Sequence, residues 1–458
     1  MELWRFLRAE MQRNLKRKIC ENDAELTFEE LLIFAEAFAK RLKGIHCCAI
    51  FCQSEMAAGM ALLSCFAAGV TALPLSERYG EIHCNKILEA ISPDAVITDR
   101  GGAFQIVRIA DSRYVEPARK PALILCTSGT TGAPKGVMLT DENVVTNVSD
   151  IASYFGLGAQ DTILISRPLY HCAVLTGEFL IGLVKGAKIR FYSKSFNPPV
   201  MPALIQKYGV TALGGTPTLF GLMSRFVRSK AELPLKRICI SGECMSKELG
   251  LRIADAFPTA DIYHVYGLTE ACPRVAFLPP ELFRKYPDCV GIPLRSVELR
   301  VVNAQGACAE PEEDGLLYVR GGSVMMGYYN DPEKTNAVLQ EGWLCTGDIA
   351  AVNSAGLLKI KGRNDDLIIK AGMNIYPQEI ESCLKADRRV REALAYGYHA
   401  FGSIQIGLKI AGDFAGPEEV KQLCAKILPP YQMPAKIELL PELARNESGK
   451  IKRGESNA

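Results

Sequence analysis

The chain lacks any run of like charges and carries almost no charge excess. Its 53 lysines and arginines stand against 51 aspartates and glutamates, a formal net charge of +2 over 458 residues. Such a balance offers no broad attraction for a polyanion, so nucleic acid is not an expected partner. Internal repeats and low-complexity segments are also missing, which sets aside repeat arrays and linker-like chains. The opening residues, MELWRFLRAEMQRNLKRK, have neither an uninterrupted apolar core nor a small-residue cleavage site; they read as an amphipathic helix rather than a secretion signal. Cys47, Cys48 and Cys52 gather beside His46, but no second Cys/His pair follows at zinc spacing. No strand-like run is followed by G-x-G-x-x-G, which disfavours a nicotinamide oxidoreductase, and the Gly-Lys-Ser/Thr of the common phosphate loop is absent.

Cysteine is plentiful, with sixteen in the chain. Most lie inside apolar runs such as CCAIFC (47–52), LSCFAAG (63–69) and ICISG (238–242), the setting of reduced core residues. One uncharged stretch, residues 56–75, is nearly long enough to span a bilayer. It is Ala/Gly-rich and has Pro74 near its end, so a buried helix ending at Gly69, followed by a strand, is predicted instead of a membrane span. A soluble, cytoplasmic protein is expected.

Apolar runs alternate with helical patterns from about residue 27 to residue 280. CCAIFC, VTALPL, AVIT, ALILC, TILI, KIRFY and RICISG are the expected strands; residues 27–43, 56–68, 141–155, 200–208 and 244–257 are the expected helices. This order predicts layered, parallel α/β structure. From about 290 to 362 the texture changes to short β-rich runs, VELRVV, GLLYVR, IAAV and GLLKIKG, joined by turn clusters. Residues 362–372 read as a linker, and the rest of the chain suffices for a small α+β unit. At 458 residues, two or three domains or subdomains are expected.

The most informative stretch is TSGTTGAPKG: Thr127, Ser128, Gly129, Thr130, Thr131, Gly132, Ala133, Pro134, Lys135 and Gly136. Glycines let a backbone run close to a polyanion, hydroxyls add donors, and a lysine adds a charge. By itself such a loop is also readable as a plain turn. Thr140 or Asp141 is expected to cap the helix that follows, and its dipole is expected to add to a phosphate site. Four more motifs lie far away: YGLTE (Tyr266–Glu270), TGD (Thr346–Asp348), GRNDDLIIKAGMNIYPQEIE (362–381) and SGKIKR (448–453). Each has a plain alternative: a core tyrosine, a turn aspartate, solvated linker charges, a tail lysine.

Taken in order and spacing, these motifs resemble the adenylate-forming superfamily, which includes acyl- and aryl-CoA synthetases, adenylation domains of peptide synthetases, and luciferases. The resemblance runs from LTFEEL (26–31) to Lys450. It implies an α/β fold: a large N-terminal AMP-binding domain (1–362) of layered subdomains with a small β-rich unit at about 290–362, a hinge at 363–366, and a small mobile α+β lid domain at 367–458. The implied activity is that of an AMP-forming acid–thiol ligase. A carboxylate attacks the α-phosphate of ATP to give acyl-adenylate and pyrophosphate, and a thiol then displaces AMP. Both steps depend on positioning and charge neutralisation.

By that resemblance Thr127, Ser128, Gly129, Thr130, Thr131, Gly132 and Lys135 hold the β- and γ-phosphates. Tyr266 stacks on adenine, Thr269 touches the α-phosphate, and Glu270 holds Mg2+. Asp348 accepts the ribose hydroxyls with Arg363 nearby. Lys450 bridges the substrate carboxylate and the α-phosphate, Asp365 is the hinge, and Gly372 lines the thiol tunnel. His171, in RPLYHCAVLTGE (167–178), lies beside the acyl pocket, a core histidine being the alternative. Amino-acid-activating relatives usually carry an Asp in this segment, and here Tyr170, His171 and Cys172 stand instead, so a small acyl or aryl acid is expected. Gly214, Gly215, Ser241–Glu243 and Ala271–Pro273 are further pocket candidates. The region before the glycine loop is shorter than usual, and YGYHAFGSIQIGLKI (396–410) departs from the family pattern. The chain stops soon after Lys450, so the thiol is expected to be CoA or the phosphopantetheine arm of a separate acyl carrier protein. A non-catalytic nucleotide-binding protein on the same fold is the competing reading.

Overall fold

Apolar runs bounded by turn residues form the strands of the structure, a computed structural model describing residues 2–76, 81–100, 103–128, 134–192, 194, 196–227, 233–370, 373–400, 403–445 and 451. Cys47–Ile50, Thr71–Pro74, Ala95–Thr98 and Leu123–Ser128 pair in parallel at the centre of a seven-stranded sheet. Gln105–Arg108 closes one side, and Pro134–Leu139 followed by Gly327–Tyr328 extends the other, all antiparallel. Cys47–Ile50 and Thr71–Pro74 are buried throughout, as the covered centre of such a sheet requires, whereas Gln105–Arg108 at its edge is largely exposed.

A nine-stranded sheet stacks beside it. Its parallel part runs Asp261–Gly267, Arg237–Ile240, Ala212–Gly215, Thr162–Ile165, Lys188–Phe191, Lys18–Glu21. The Lys18–Thr27 hairpin at its far edge was not among the expected strands; it is polar and short, and joins the sheet only through Lys188–Phe191. Helices Glu55–Ala68 and Asp141–Tyr154 contribute Leu62, Leu63, Val144, Val148 and Ile151 to one core with residues of both sheets. The uncharged stretch is thus a core helix. Ser54 caps its start, and Gly69, at φ 66°, ends it in the left-handed conformation that glycine adopts without penalty. No described helix is long and apolar enough to cross a membrane.

The expected helix dipole at the glycine loop is overturned. Pro134–Leu139 is a strand paired antiparallel with Leu123–Ser128, with Ser128 opposite Pro134. The helix starts at the other end of that strand, about 20 Å away at the usual strand rise. Its own cap is as expected: Thr140 Oγ accepts from Asn143 N–H at 3.2 Å, and Asn143 Oδ1 accepts from Thr140 N–H at 2.9 Å.

Val297–Val302, Gly315–Gly321, Trp343–Val352 and Leu358–Arg363 form the expected β-rich unit, all antiparallel. Beyond a short turn at Asn364–Asp366, helices Pro377–Lys385 and Pro417–Ile427 pack with Val390–Ala400, Ser403–Gly412 and Lys436–Leu440 around a separate core that includes Ile380, Leu384, Ile406, Leu408 and Val420. Arg225 donates to Val390 O at 2.9 Å and Arg252 to Lys385 O at 3.1 Å, tying this unit to the larger one.

Candidate active site

Three elements deliver the first group of residues. In the antiparallel pair Leu123–Ser128 and Pro134–Leu139, Thr127 sits opposite Lys135, which projects its Nζ to 5.5 Å above the Tyr328 ring. Tyr328 is placed by the two-residue strand Gly327–Tyr328, which pairs with Val137 and Met138. Its hydroxyl donates to Glu270 Oε1 at 3.0 Å. Glu270 lies on a short turn, Thr269–Ala271, just past the strand Asp261–Gly267, and its carbonyl accepts from Met325 N–H at 2.8 Å. Thr269 is half-buried on the same turn. Gly267 is required here: a Cβ would overlap the carbonyl oxygen of Pro273, since the chain doubles back on itself.

The second group is built on the β-rich unit. Asp348 is 9% exposed and faces Arg363 across the Trp343–Val352/Leu358–Arg363 ladder. Its Oδ2 accepts from the Tyr266 hydroxyl and its Oδ1 from Arg363 Nη1 at 3.3 Å. Thr346 holds the turn, its Oγ accepting from Asp348 N–H at 3.1 Å and donating to Leu317 O at 2.9 Å. Arg363 also donates to Thr346 O at 2.7 Å and lies 3.6 Å from Asp365. Burial raises the Asp348 pKa above the ordinary carboxylate value, with the Tyr266 hydrogen bond and the Arg363 charge pulling it back. Burial, then the charge of Asp348, holds the Tyr266 phenol well above its usual range. For Arg363 burial works against the cation, but Asp348 and Asp365 outweigh it and the pKa is raised.

The two groups meet, for Glu270 and Asp348 feel each other's charge and Arg363 acts on Tyr328. Segments around 135, 266–270, 328, 348 and 363 therefore converge on one place. Tyr328 was not singled out in the sequence; its only signal there is the GYYN run at 327–330. His171 is half-buried, its ring 4.1 Å from that of Tyr170. It starts the short helix Cys172–Val174, and Cys172 lies against Cys272 and within reach of the Glu270 charge. Glu243, a pocket candidate, accepts from the Thr218 hydroxyl and lies 3.6 Å from Lys385. Gly129, Thr130, Thr131, Gly132, Gly372 and Lys450 lie outside the described residues, as does the side chain of Ser128.

Two layered α/β sheets, an antiparallel β-rich unit and this ordered set of motifs define the adenylate-forming class. The chain belongs to the AMP-binding enzyme family, whose model matches residues 7–329. It is 32% identical over 356 residues to a long-chain-fatty-acid–CoA ligase of Yersinia pestis, covering 75% of this chain and 63% of the relative. It is 33% identical over 337 residues to a 2-succinylbenzoate–CoA ligase of Bacillus pumilus, covering 72% of this chain and 68% of that one. In aligned length the chain thus spans less than two thirds of the first of these relatives. The solved structure of o-succinylbenzoate coenzyme A synthetase from Bacillus subtilis in complex with ATP and magnesium ion superposes with a TM-score of 0.85 at 26% identity, covering 98% of each chain.

Proposed function

We propose that this protein is an ATP-dependent ligase that activates an acyl or aryl carboxylic acid as its adenylate and transfers the acyl group to CoA. The convergence of Lys135, Tyr328 and Glu270 with Tyr266, Asp348 and Arg363 carries this reading. A carboxylate with two oxygens suits a vicinal diol, so Asp348 takes the ribose hydroxyls, oriented by Tyr266 and Arg363. Residues Thr127 to Gly132 and Lys135 take the β- and γ-phosphates, and Thr269 the α-phosphate. Lys450 supplies the charge that offsets the developing negative charge during adenylation.

Among the described residues no three acidic, cysteine or histidine side chains gather as a metal cage. That fits Mg2+, which is commonly held by one or two carboxylates and the phosphates themselves. Glu270 would hold it, and the ion would neutralise phosphate charge. Residues 1–362 form the AMP-binding domain, 363–366 the hinge with Asp365 as pivot, and 367–458 the lid that carries Gly372 to the thiol. The names of the CoA ligase relatives support CoA over a carrier protein. All sixteen cysteines are free, which supports a reducing, cytoplasmic setting.

Carboxylate-dependent ATP–pyrophosphate exchange over a broad acid panel tests the reading. ATP binding without exchange for any acid would leave the non-catalytic alternative standing. Mass change after adenylation, with CoA or a holo-carrier protein added, identifies the acceptor. Lys450→Ala is expected to lose adenylation by orders of magnitude while thioester formation from preformed acyl-AMP survives. Equal loss of both steps rejects the role of Lys450.

A further inference from the structure

Two asparagines one turn apart on the helix Asp141–Tyr154 are buried, Asn143 at 7% and Asn147 at 0% exposure. Residues four apart lie on one face of a helix. An amide taken out of water needs partners for its oxygen and for both N–H groups. Asn143 Nδ2 donates to Gly322 O at 2.7 Å and to Val324 O at 2.9 Å, while its Oδ1 takes the capping N–H of Thr140. Asn147 Nδ2 donates to Arg274 O at 2.8 Å and to Ala271 O at 3.4 Å, and its Oδ1 accepts from Arg274 N–H at 3.3 Å. Each amide is thus fully engaged, and each holds the backbone of a segment far away in sequence.

The two held segments are joined to each other at the site. Met325 N–H, next to Val324, donates to Glu270 O at 2.8 Å, and Ala271 follows Glu270. Three residues beyond Met325, the Tyr328 hydroxyl donates to Glu270 Oε1 at 3.0 Å. A closed circuit results, running from Asn143 through Val324, Met325, Glu270 and Ala271 to Asn147 and back along the helix. The chain at Gly322 comes so close to this helix that a Cβ there would lie 3.2 Å from Thr146 Cγ2. Further along the helix, Asp150 Oδ2 accepts from Ser296 N–H at 3.1 Å and from the Ser296 hydroxyl, just before the strand Val297–Val302 of the β-rich unit. Val144, Val148 and Ile151 of the same helix serve the apolar core. Packing alone calls for more such residues, whereas a fully satisfied buried amide fixes one backbone arrangement.

We infer that Asn143 and Asn147 are positioning residues that set, from behind, the geometry in which Glu270 and Tyr328 receive Mg2+. This rests on the ligase reading above, with Glu270 as the Mg2+ carboxylate. Both asparagines act through backbone groups rather than on that carboxylate itself. Asn147 fixes the chain just after Glu270, and Asn143 fixes the chain that bonds the Glu270 carbonyl and carries Tyr328. Without either, the Glu270 carboxylate keeps its chemistry but loses its fixed place beside the phosphates, and a metal ligand held loosely binds more weakly.

Calorimetric titration with ATP, once in EDTA and once in Mg2+, is the experiment, because the ratio of the two dissociation constants isolates what Mg2+ adds. Wild-type protein should bind ATP more tightly with Mg2+. Asn147→Leu keeps the volume and removes the bonds to Ala271 and Arg274. Asn143→Asp keeps the acceptor for Thr140 N–H, so the helix cap stays, and removes the bonds donated to Gly322 and Val324; it decides the matter alone if Asn147→Leu does not fold. Removing a group bonded directly to a metal ligand weakens metal binding about tenfold to a hundredfold. At one further remove, the gain from Mg2+ is expected to shrink roughly threefold to tenfold in each variant, with ATP binding in EDTA unchanged. Val148→Ala, which opens the apolar core along the same helix, is expected to lower the thermal midpoint and leave the ratio as in wild type. An unchanged ratio in either folded asparagine variant, an equal weakening with and without Mg2+, or the same fall in Val148→Ala overturns the inference and leaves the ligase reading standing. Wild-type protein that binds ATP no more tightly with Mg2+ overturns the Mg2+ part of the ligase reading and this inference with it.

Discussion

Replacing Asp348 by asparagine isolates the proposed ribose contact. The carboxylate is 9% exposed, receives Tyr266 and Arg363, and is oriented by Thr346. Asn keeps the volume but removes the charge and turns one acceptor into a donor facing Arg363. A hydrogen bond to a charged group contributes about 1.5–3 kcal/mol. At about 1.4 kcal/mol per factor of ten, ATP should bind roughly tenfold to 150-fold more weakly. The fold should survive. Arg363 retains the Thr346 carbonyl and Asp365, and the raised pKa of Asp348 means that keeping it ionised in the folded state already costs stability. Calorimetric titration with ATP and with dideoxy-ATP, which lacks both ribose hydroxyls, is the assay. Wild-type protein should discriminate between the two nucleotides, and Asp348→Asn should bind both about as weakly as wild type binds the dideoxy form. Equal weakening toward both nucleotides would refute the reasoning, because it would place the loss in the scaffold. The same direction of shift predicts a pH effect. Wild-type ATP affinity should fall with acidification at a higher pH than an ordinary aspartate would give, and the variant's should not.

Three further outcomes are expected. Tyr328→Phe deletes the donor to Glu270 but keeps the ring under Lys135, so half-maximal exchange should need roughly threefold to tenfold more Mg2+, equivalent to about 0.7–1.4 kcal/mol; an unchanged Mg2+ titration counts against the Glu270 role. Burial lowers the pKa of His264, 2% exposed, to about 4, with Nδ1 donating to Pro287 O at 3.0 Å. As pH falls below about 6.5 the unfolded chain takes a proton that the folded protein refuses, so stability is lost, by about 2 kcal/mol between roughly pH 7 and pH 5. Denaturant titrations should show His264→Gln losing less over that interval, and an identical loss in both proteins would dismiss His264 as the cause. Gly267→Ala forces a methyl into the Pro273 carbonyl and should cost about 2–3 kcal/mol while weakening ATP binding; a thermal midpoint equal to wild type would show that the chain relaxes freely there.

Much of the fold was legible because its signals are local. Runs such as CCAI, TILI and RICI carry β-branched and apolar residues without a polar face, and Thr140 with Asn143 three residues on is a readable cap. The strand Pro134–Leu139 was missed because its first three residues, Pro, Lys and Gly, have low strand propensity. Its place comes from neighbours on both sides, Leu123–Ser128 and Gly327–Tyr328. Tyr328 was missed for a related reason: it lies 58 residues from Glu270 in sequence, and nothing local marks their hydrogen bond.

The sequence by itself determined the alternation of layers, the buried character of residues 56–68, and the order of motifs that marks the adenylate-forming class. These depend on side-chain period, capping and spacing, which are properties of short stretches. Only the tertiary structure decided that the strand Pro134–Leu139 pairs back on Leu123–Ser128, that Lys135 reaches Glu270 through Tyr328, and that Glu178 packs against Gly214. Those facts depend on which distant segments share a volume. In a close-packed interior that is settled by the whole set of contacts at once.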